Sequence, residues 1–132
     1  MVRSLSGWLI GALGAQLLLG MAVNLFATLP ASQPAPSYLA GVGRVIAWAL
    51  GHGPLMLQLH VTLGLLLFLG ALWMLVRAPS WVSILGLTGI LAGIFNGASF
   101  LVFGQGFSSY LMTVGFVIAA ASYTVGAARC TS

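Results

Sequence analysis

The sequence contains no aspartate and no glutamate among its 132 residues. It therefore offers no carboxylate side chain to serve as a general base, to bind a metal ion or to relay protons through a membrane. The single cysteine, Cys130, excludes an internal disulfide and a cysteine-rich zinc site. These absences favour a protein that is not an enzyme and that has neither catalytic residues nor a metal site.

Charge of the other sign is also scarce. Charged residues make up 3% of the chain and hydrophobic residues 61%, whereas soluble domains carry roughly 25% charged residues. The charges are four arginines spread along the chain, which is too sparse a pattern for nucleic-acid binding: Arg3, Arg44, Arg77 and Arg129. A water-facing surface cannot be built from this composition. We therefore expect an all-α integral membrane protein whose partner is the lipid bilayer.

Four apolar segments are long enough to cross a bilayer, which takes about 20 residues. We predict a single transmembrane domain over residues 1–132, with helices over residues 8–29, 54–76, 81–103 and 108–128. The first apolar segment is too long for a signal-peptide core, so we expect it to be retained. The short links at 77–80 and 104–107 make neighbouring helices antiparallel, as in a four-helix bundle.

The connection between the first two spans is longer and irregular. The prolines Pro30, Pro34 and Pro36 exclude a regular helix there. A short helix is predicted over residues 38–50, with Ser37 as its N-cap. Its apolar face is expected to consist of Leu39, Val42, Ile46 and Leu50. The predicted fold is thus a four-transmembrane-helix bundle with an interfacial helix in the outer loop between helices 1 and 2.

The arginines also predict the orientation. Arg3, Arg77 and Arg129 fall on one side of the membrane and Arg44 on the other, and cytoplasmic loops carry the excess of basic residues. Three tryptophans near the same side match an interfacial aromatic belt: Trp8, Trp73 and Trp81. We therefore predict a multi-pass cell-membrane protein with both termini in the cytoplasm.

Small residues at four-residue spacing indicate close helix packing. Gly89, Gly93 and Gly97 form two overlapping GxxxG units on the third span, and Gly115 lies on the fourth. Glycine lets two helix backbones approach closely in lipid. These glycines can serve packing inside the bundle, or they can form a face reserved for another protein.

Four polar residues are expected in one layer, about 8–11 Å below the outer helix ends at 1.5 Å per residue. They are Asn24, His60, Asn96 and Thr113. One interpretation is a structural network in which a neutral His60 bridges Asn24 and Asn96.

A second interpretation of this layer is haem binding. His60 would ligate the iron and Met112, from another helix, would supply the second axial ligand. Arg44 would contact a haem propionate, and Gly64, one turn from His60, would leave room for the flat ring.

Three function classes follow. The leading one is a non-catalytic accessory or assembly subunit that packs laterally in a larger membrane complex or associates with itself. The alternative is electron transfer by a haem- or quinone-binding protein that uses the layer around His60. A small carrier or channel is disfavoured, because no charged ring and no ion-coupling carboxylate can line a path.

Overall fold

The computed structural model describes residues 2–27, 37–104 and 106–129. These residues form five helices and no strand: α1 (Val2–Phe26), α2 (Tyr38–Gly51), α3 (Leu55–Arg77), α4 (Trp81–Phe103) and α5 (Gly106–Arg129). Four of the helices are long and apolar enough to cross a membrane, and α2 is the shorter helix between α1 and α3. The predicted all-α bundle with four spans and one short helix is confirmed.

Helix ends agree closely with the sequence prediction except in α1. The bounds of α3, α4 and α5 lie within two residues of those predicted. Helix α1 begins at Val2 instead of Trp8 and ends at Phe26 instead of Leu29. The predicted irregular stretch from Pro30 to Pro36 lies outside the described residues, as does Cys130.

The four long helices form a closed ring in chain order. Helix α1 packs beside α3 and α5, and α4 packs beside the same two helices. Within the described residues, the diagonal pairs α1–α4 and α3–α5 make no close backbone approach. Because successive spans alternate in direction, Val2 and Arg129 lie at the same end of the bundle. We name this the basic end, after Arg77 and Arg129, and we name the opposite end the α2 end.

Helices α4 and α5 make the closest contact in the bundle. A Cβ atom placed on Gly89 would lie 2.5 Å from the carbonyl oxygen of Gly115, and one on Gly115 would lie 2.6 Å from the carbonyl oxygen of Gly89. The two backbones therefore touch at this point, and a side chain at either position would force them apart.

Local capping explains where α4 begins and ends. The Oγ of Ser80 accepts a hydrogen bond from the backbone N–H of Ser83 (3.2 Å), and the Ser83 hydroxyl donates to the carbonyl of Ala78 (2.8 Å). At the other end Gly104 adopts φ 66°, a left-handed conformation that suits glycine. These caps turn the chain back at both ends and set the antiparallel arrangement of α3, α4 and α5.

Helix α2 covers one side of the bundle end. It packs on α3 and α4 and buries Gly41, Val45 and Ala49. The face that packs on the bundle therefore differs from the predicted apolar face, of which Leu39 and Leu50 are exposed. The smaller residues are buried because they let α2 approach its neighbours closely. Ser37 caps the helix as predicted, accepting a hydrogen bond from the N–H of Ala40.

Aromatic rings hold the arginines at the basic end. The Arg77 guanidinium lies 4.4 Å from the centre of the Trp73 ring, and that of Arg129 lies 4.9 Å from the Trp81 ring. Cation–π contacts of this kind attract the charge to the ring face. The chain has no acidic side chain, so these contacts hold the two cations without a carboxylate side chain as partner.

A candidate ligand-binding cavity

The half of the bundle nearer α2 encloses a cavity of about 360 Å³. All five helices contribute to its wall, which is mostly apolar. The other half of the bundle is filled by a cluster of buried side chains: Leu9, Leu13, Leu67, Ala71, Met74, Ile90, Ala119 and Tyr123. The cavity size falls within the roughly 300–1,000 Å³ typical of small-molecule sites.

A polar pair stands in this apolar wall. The side-chain nitrogen Nε2 of Gln16 on α1 lies 3.3 Å from Nε2 of His60 on α3. Each of the two side chains lies over a glycine of the opposite helix. A Cβ atom on Gly20 would lie 3.0 Å from Cε1 of His60, and one on Gly64 would lie 3.2 Å from Nε2 of Gln16. The two glycines therefore create the space in which the polar side chains meet.

The pair retains unused hydrogen-bonding capacity. An amide nitrogen can only donate, so Nε2 of His60 accepts and its Nδ1 carries the proton. Oε1 of Gln16 and Nδ1 of His60 are buried and have no hydrogen-bond partner among the described residues. If the amide of Gln16 is turned over, donor and acceptor exchange places. In either orientation one donor and one acceptor are left for another molecule.

Two glycines on α4 leave space inside the cavity. A Cβ atom on Gly93 would meet nothing within 4 Å, although the residue lies in the cavity wall. One turn further, a Cβ atom on Gly97 would lie 3.3 Å from the sulfur of Met112 on α5. At these two positions the wall consists of helix backbone and of one flexible thioether, which adapts its shape to a neighbour.

The structure separates the four residues of the predicted polar layer. Asn24, His60 and Thr113 lie in the cavity wall, whereas Asn96 does not. Asn96 donates to the carbonyl of Ala92 on its own helix, and Thr113 donates to that of Ser109. The predicted bridge from Asn24 through His60 to Asn96 is absent from the described residues, because His60 pairs with Gln16 instead.

The structure brings together two of the three residues that were predicted to hold a haem. His60 and Met112 both line the cavity, but Arg44 is exposed and lies outside the wall. The room beside Gly64 is taken by the side chain of Gln16. The edge of the His60 ring that carries both nitrogens lies within 4 Å of the Cβ position of Gly20. Nε2 of His60 is engaged by Gln16, so this nitrogen could ligate iron only if that hydrogen bond were broken.

The four glycines predicted to pack helices have different surroundings. Gly89 and Gly115 lie where α4 and α5 touch, while Gly93 and Gly97 line the cavity. Within the described residues, no group of three His, Cys, Asp or Glu could hold a metal ion.

Sequence reasoning overlooked two residues. Gln16 was not among the residues of the predicted polar layer, although the matching spacings Gln16–Gly20 and His60–Gly64 are visible in the sequence. Tyr123 is fully buried, its ring contacts the Cβ position of Gly86, and its hydroxyl has no hydrogen-bond partner among the described residues. A tyrosine near a helix end resembles an interfacial residue, and nothing in the sequence distinguished it from one.

No protein family model, no curated protein and no solved structure matches this chain. The functional argument therefore depends on the cavity and its polar pair.

Proposed function

We propose that the protein binds a small, uncharged, lipid-soluble molecule in the cavity between its transmembrane helices. The observation that carries this proposal is the pair Gln16–His60, which stands in an apolar wall with one donor and one acceptor unused. Ligand sites in proteins typically combine an apolar wall with a few polar groups that fix orientation.

Depth and charge restrict the ligand class. Gln16 lies ten residues before the end of α1, or about 15 Å, which is half of a hydrocarbon core of about 30 Å. A hydrated phospholipid headgroup does not reach this depth. Among the described residues no arginine lines the cavity, and the chain has no acidic residue, so neither an anion nor a cation finds a counter-charge. A quinone fits these limits, since its ring is flat and uncharged and its carbonyl oxygens accept hydrogen bonds.

The first experiment removes the polar pair. The protein is reconstituted in lipid nanodiscs and titrated with a benzoquinone that carries a ten-carbon tail. Gln16→Leu and His60→Leu should each weaken binding about 3- to 18-fold, from the 0.6–1.7 kcal/mol of a hydrogen bond in a membrane. Asn96→Leu is the matched control, because it removes a polar side chain from the same bundle but outside the cavity wall. Equal losses in all three variants, or no binding by the wild type, would contradict the proposal.

A second experiment fills the cavity. A leucine at Gly93 extends into open space, so Gly93→Leu should abolish quinone binding while leaving the helices intact. Gly14→Leu also extends into open space, but on the exposed side of α1, and should bind the quinone like the wild type. Circular dichroism of both variants checks the fold. A Gly93→Leu protein that keeps full affinity would place the ligand elsewhere.

Lateral association with another membrane subunit or with a second copy, predicted from the composition, is the second candidate function that we propose. Gly7, Gly11 and Gly14 lie on one exposed face of α1, and a Cβ atom on any of them would meet nothing within 4 Å. Packing inside the bundle does not use these glycines, which leaves them available for close helix contact.

Association is tested by counting copies in liposomes by single-molecule photobleaching. Gly11→Leu should shift the population toward monomers, whereas Leu69→Ala, a change on an exposed position of α3, should not. A wild-type protein that is monomeric, and that co-purifies with no other membrane subunit, would remove this candidate.

A further inference from the structure

The cavity wall is not closed equally on all sides. At the basic end it is sealed by buried side chains, among them Leu9, Leu13 and Ala119. Between α3 and α4 it is sealed by Leu57 (2% exposed) and Ala98 (6% exposed). Helix α2 packs over this same side, with Ala49 in contact with the cluster around Leu57.

The seam between α1 and α5 differs from these sides. On α1, Leu17 (43% exposed) and Met21 (53% exposed) line the cavity and also face outward. Asn24 on α1 and Thr113 on α5 are likewise both exposed and part of the wall. Helix α2 makes no close backbone approach to α1 or α5 among the described residues, so it does not cover this seam. We name the seam lined by Leu17, Met21, Asn24 and Thr113 the mouth.

We propose that the mouth opens the cavity sideways into the lipid leaflet at the α2 end, and that the ligand is a tailed molecule. This inference rests on the proposed function. The ring of the ligand lies beside Gln16 and His60, and its apolar tail leaves between α1 and α5.

Size and composition support this arrangement. A cavity of about 360 Å³ is near the lower limit of ligand sites, so it holds a ring but leaves little space for an extended chain. The polar pair lies at depth, so the polar part of the ligand belongs inside. At the mouth Leu17 and Met21 offer apolar contacts, and the Thr113 hydroxyl is already bonded to the Ser109 carbonyl, so the apolar part of the ligand belongs there. Methionine accommodates chains of varying shape because its side chain is unbranched and flexible.

The test compares two quinones with the same ring, one without a tail and one with a ten-carbon tail. Binding is measured in nanodiscs at equal mole fraction of quinone in the lipid. The wild type should bind both, and with similar affinity, because lipid already surrounds a free tail with apolar groups. Met21→Trp and Thr113→Trp place an indole in the mouth and should weaken the tailed quinone at least about 10-fold more than the tail-less one.

Two exposed positions outside the cavity wall provide matched controls. Leu18→Trp on α1 and Val117→Trp on α5 add the same bulk to the lipid-facing surface and should change neither affinity. Because there is one mouth variant and one control on each of the two helices, the test can still be read if a single variant misfolds.

The results distinguish a failure of the mouth inference from a failure of the proposed function. If the wild type binds only the tail-less quinone, or if both mouth variants weaken the two quinones equally or not at all, the mouth is not the exit for a tail. In those cases the proposed cavity site still stands. If the wild type binds neither quinone, the proposed function fails and the mouth inference falls with it.

Discussion

Substituting alanine for two glycines one helical turn apart should have opposite effects on stability. Gly89 and Gly93 both belong to the GxxxG pattern of α4, and the sequence treats them alike. A Cβ atom on Gly89 would lie 2.5 Å from the Gly115 carbonyl oxygen and 2.7 Å from the backbone nitrogen of Ala119, whereas ordinary contacts begin at 3.4 Å. These are backbone atoms, so α4 and α5 must separate by about 1 Å, a gap that forfeits a quarter to a half of each affected van der Waals contact.

The magnitude follows from two opposing effects. Overpacking of this kind destabilises by about 1–3 kcal/mol, and replacing glycine by alanine in a helix stabilises by up to about 1 kcal/mol. Gly89→Ala should therefore lower the free energy of unfolding by about 1–2 kcal/mol. Gly93→Ala meets nothing within 4 Å and should raise it by up to about 1 kcal/mol.

The assay for this pair is reversible unfolding in mixed micelles, with increasing SDS and helix content followed by circular dichroism. If Gly93→Ala destabilises the protein as much as Gly89→Ala does, the position of the α4–α5 contact is wrong.

Three other predictions follow from the topology, the α2 contacts and the cavity. In a cysteine-free background, Ala35→Cys should react with an impermeant thiol reagent from outside the cell and Pro79→Cys only from inside; labelling of Pro79→Cys from outside would reverse the orientation. Tyr38→Phe removes the hydroxyl that contacts the Ser99 hydroxyl (2.7 Å) and the Phe95 carbonyl (3.1 Å), so amide hydrogen exchange in α2 should accelerate by about 5- to 10-fold. Unchanged exchange would show that these bonds do not hold α2 in place. The purified protein should show no Soret absorbance, and a Soret band that disappears in His60→Gln would restore the haem interpretation.

Hydropathy was enough to predict the spans because a bilayer imposes their length and composition. The ends of α3 and α4 followed from proline, serine and glycine residues that are visible in the sequence. The end of α1 carried no such cap, and placing it at Leu29 instead of Phe26 shifted every depth on that helix by three residues. Asn24 then appeared level with His60, although the residue that lies against His60 is Gly20.

Helix rotation was the second quantity that the sequence did not specify. A large apolar side chain is as stable in lipid as in the bundle, so hydrophobicity does not indicate which face of a membrane helix is buried. Helix α2 buries Gly41 and Ala49 and leaves Leu39 exposed, the reverse of what a soluble helix would do. The Gln16–His60 pair depends on the rotation of α1 against α3. The sequence indicated this rotation only through Gly20 and Gly64, which each lie four residues after one member of the pair.

The helices that surround the cavity are not all connected to one another in the same way. Helices α3, α4 and α5 are joined through residues 78–80 and 104–105, and the backbones of α4 and α5 touch at Gly89 and Gly115. Helix α1 ends at Phe26, and the next described helix begins at Tyr38. Three walls of the cavity are thus tied to one another at short range, whereas at cavity level α1 is held to α3 by the Gln16–His60 hydrogen bond and by the buried cluster of Val23, Leu57 and Ala49. A ligand large enough to push α1 outward would have to break this hydrogen bond and separate this cluster.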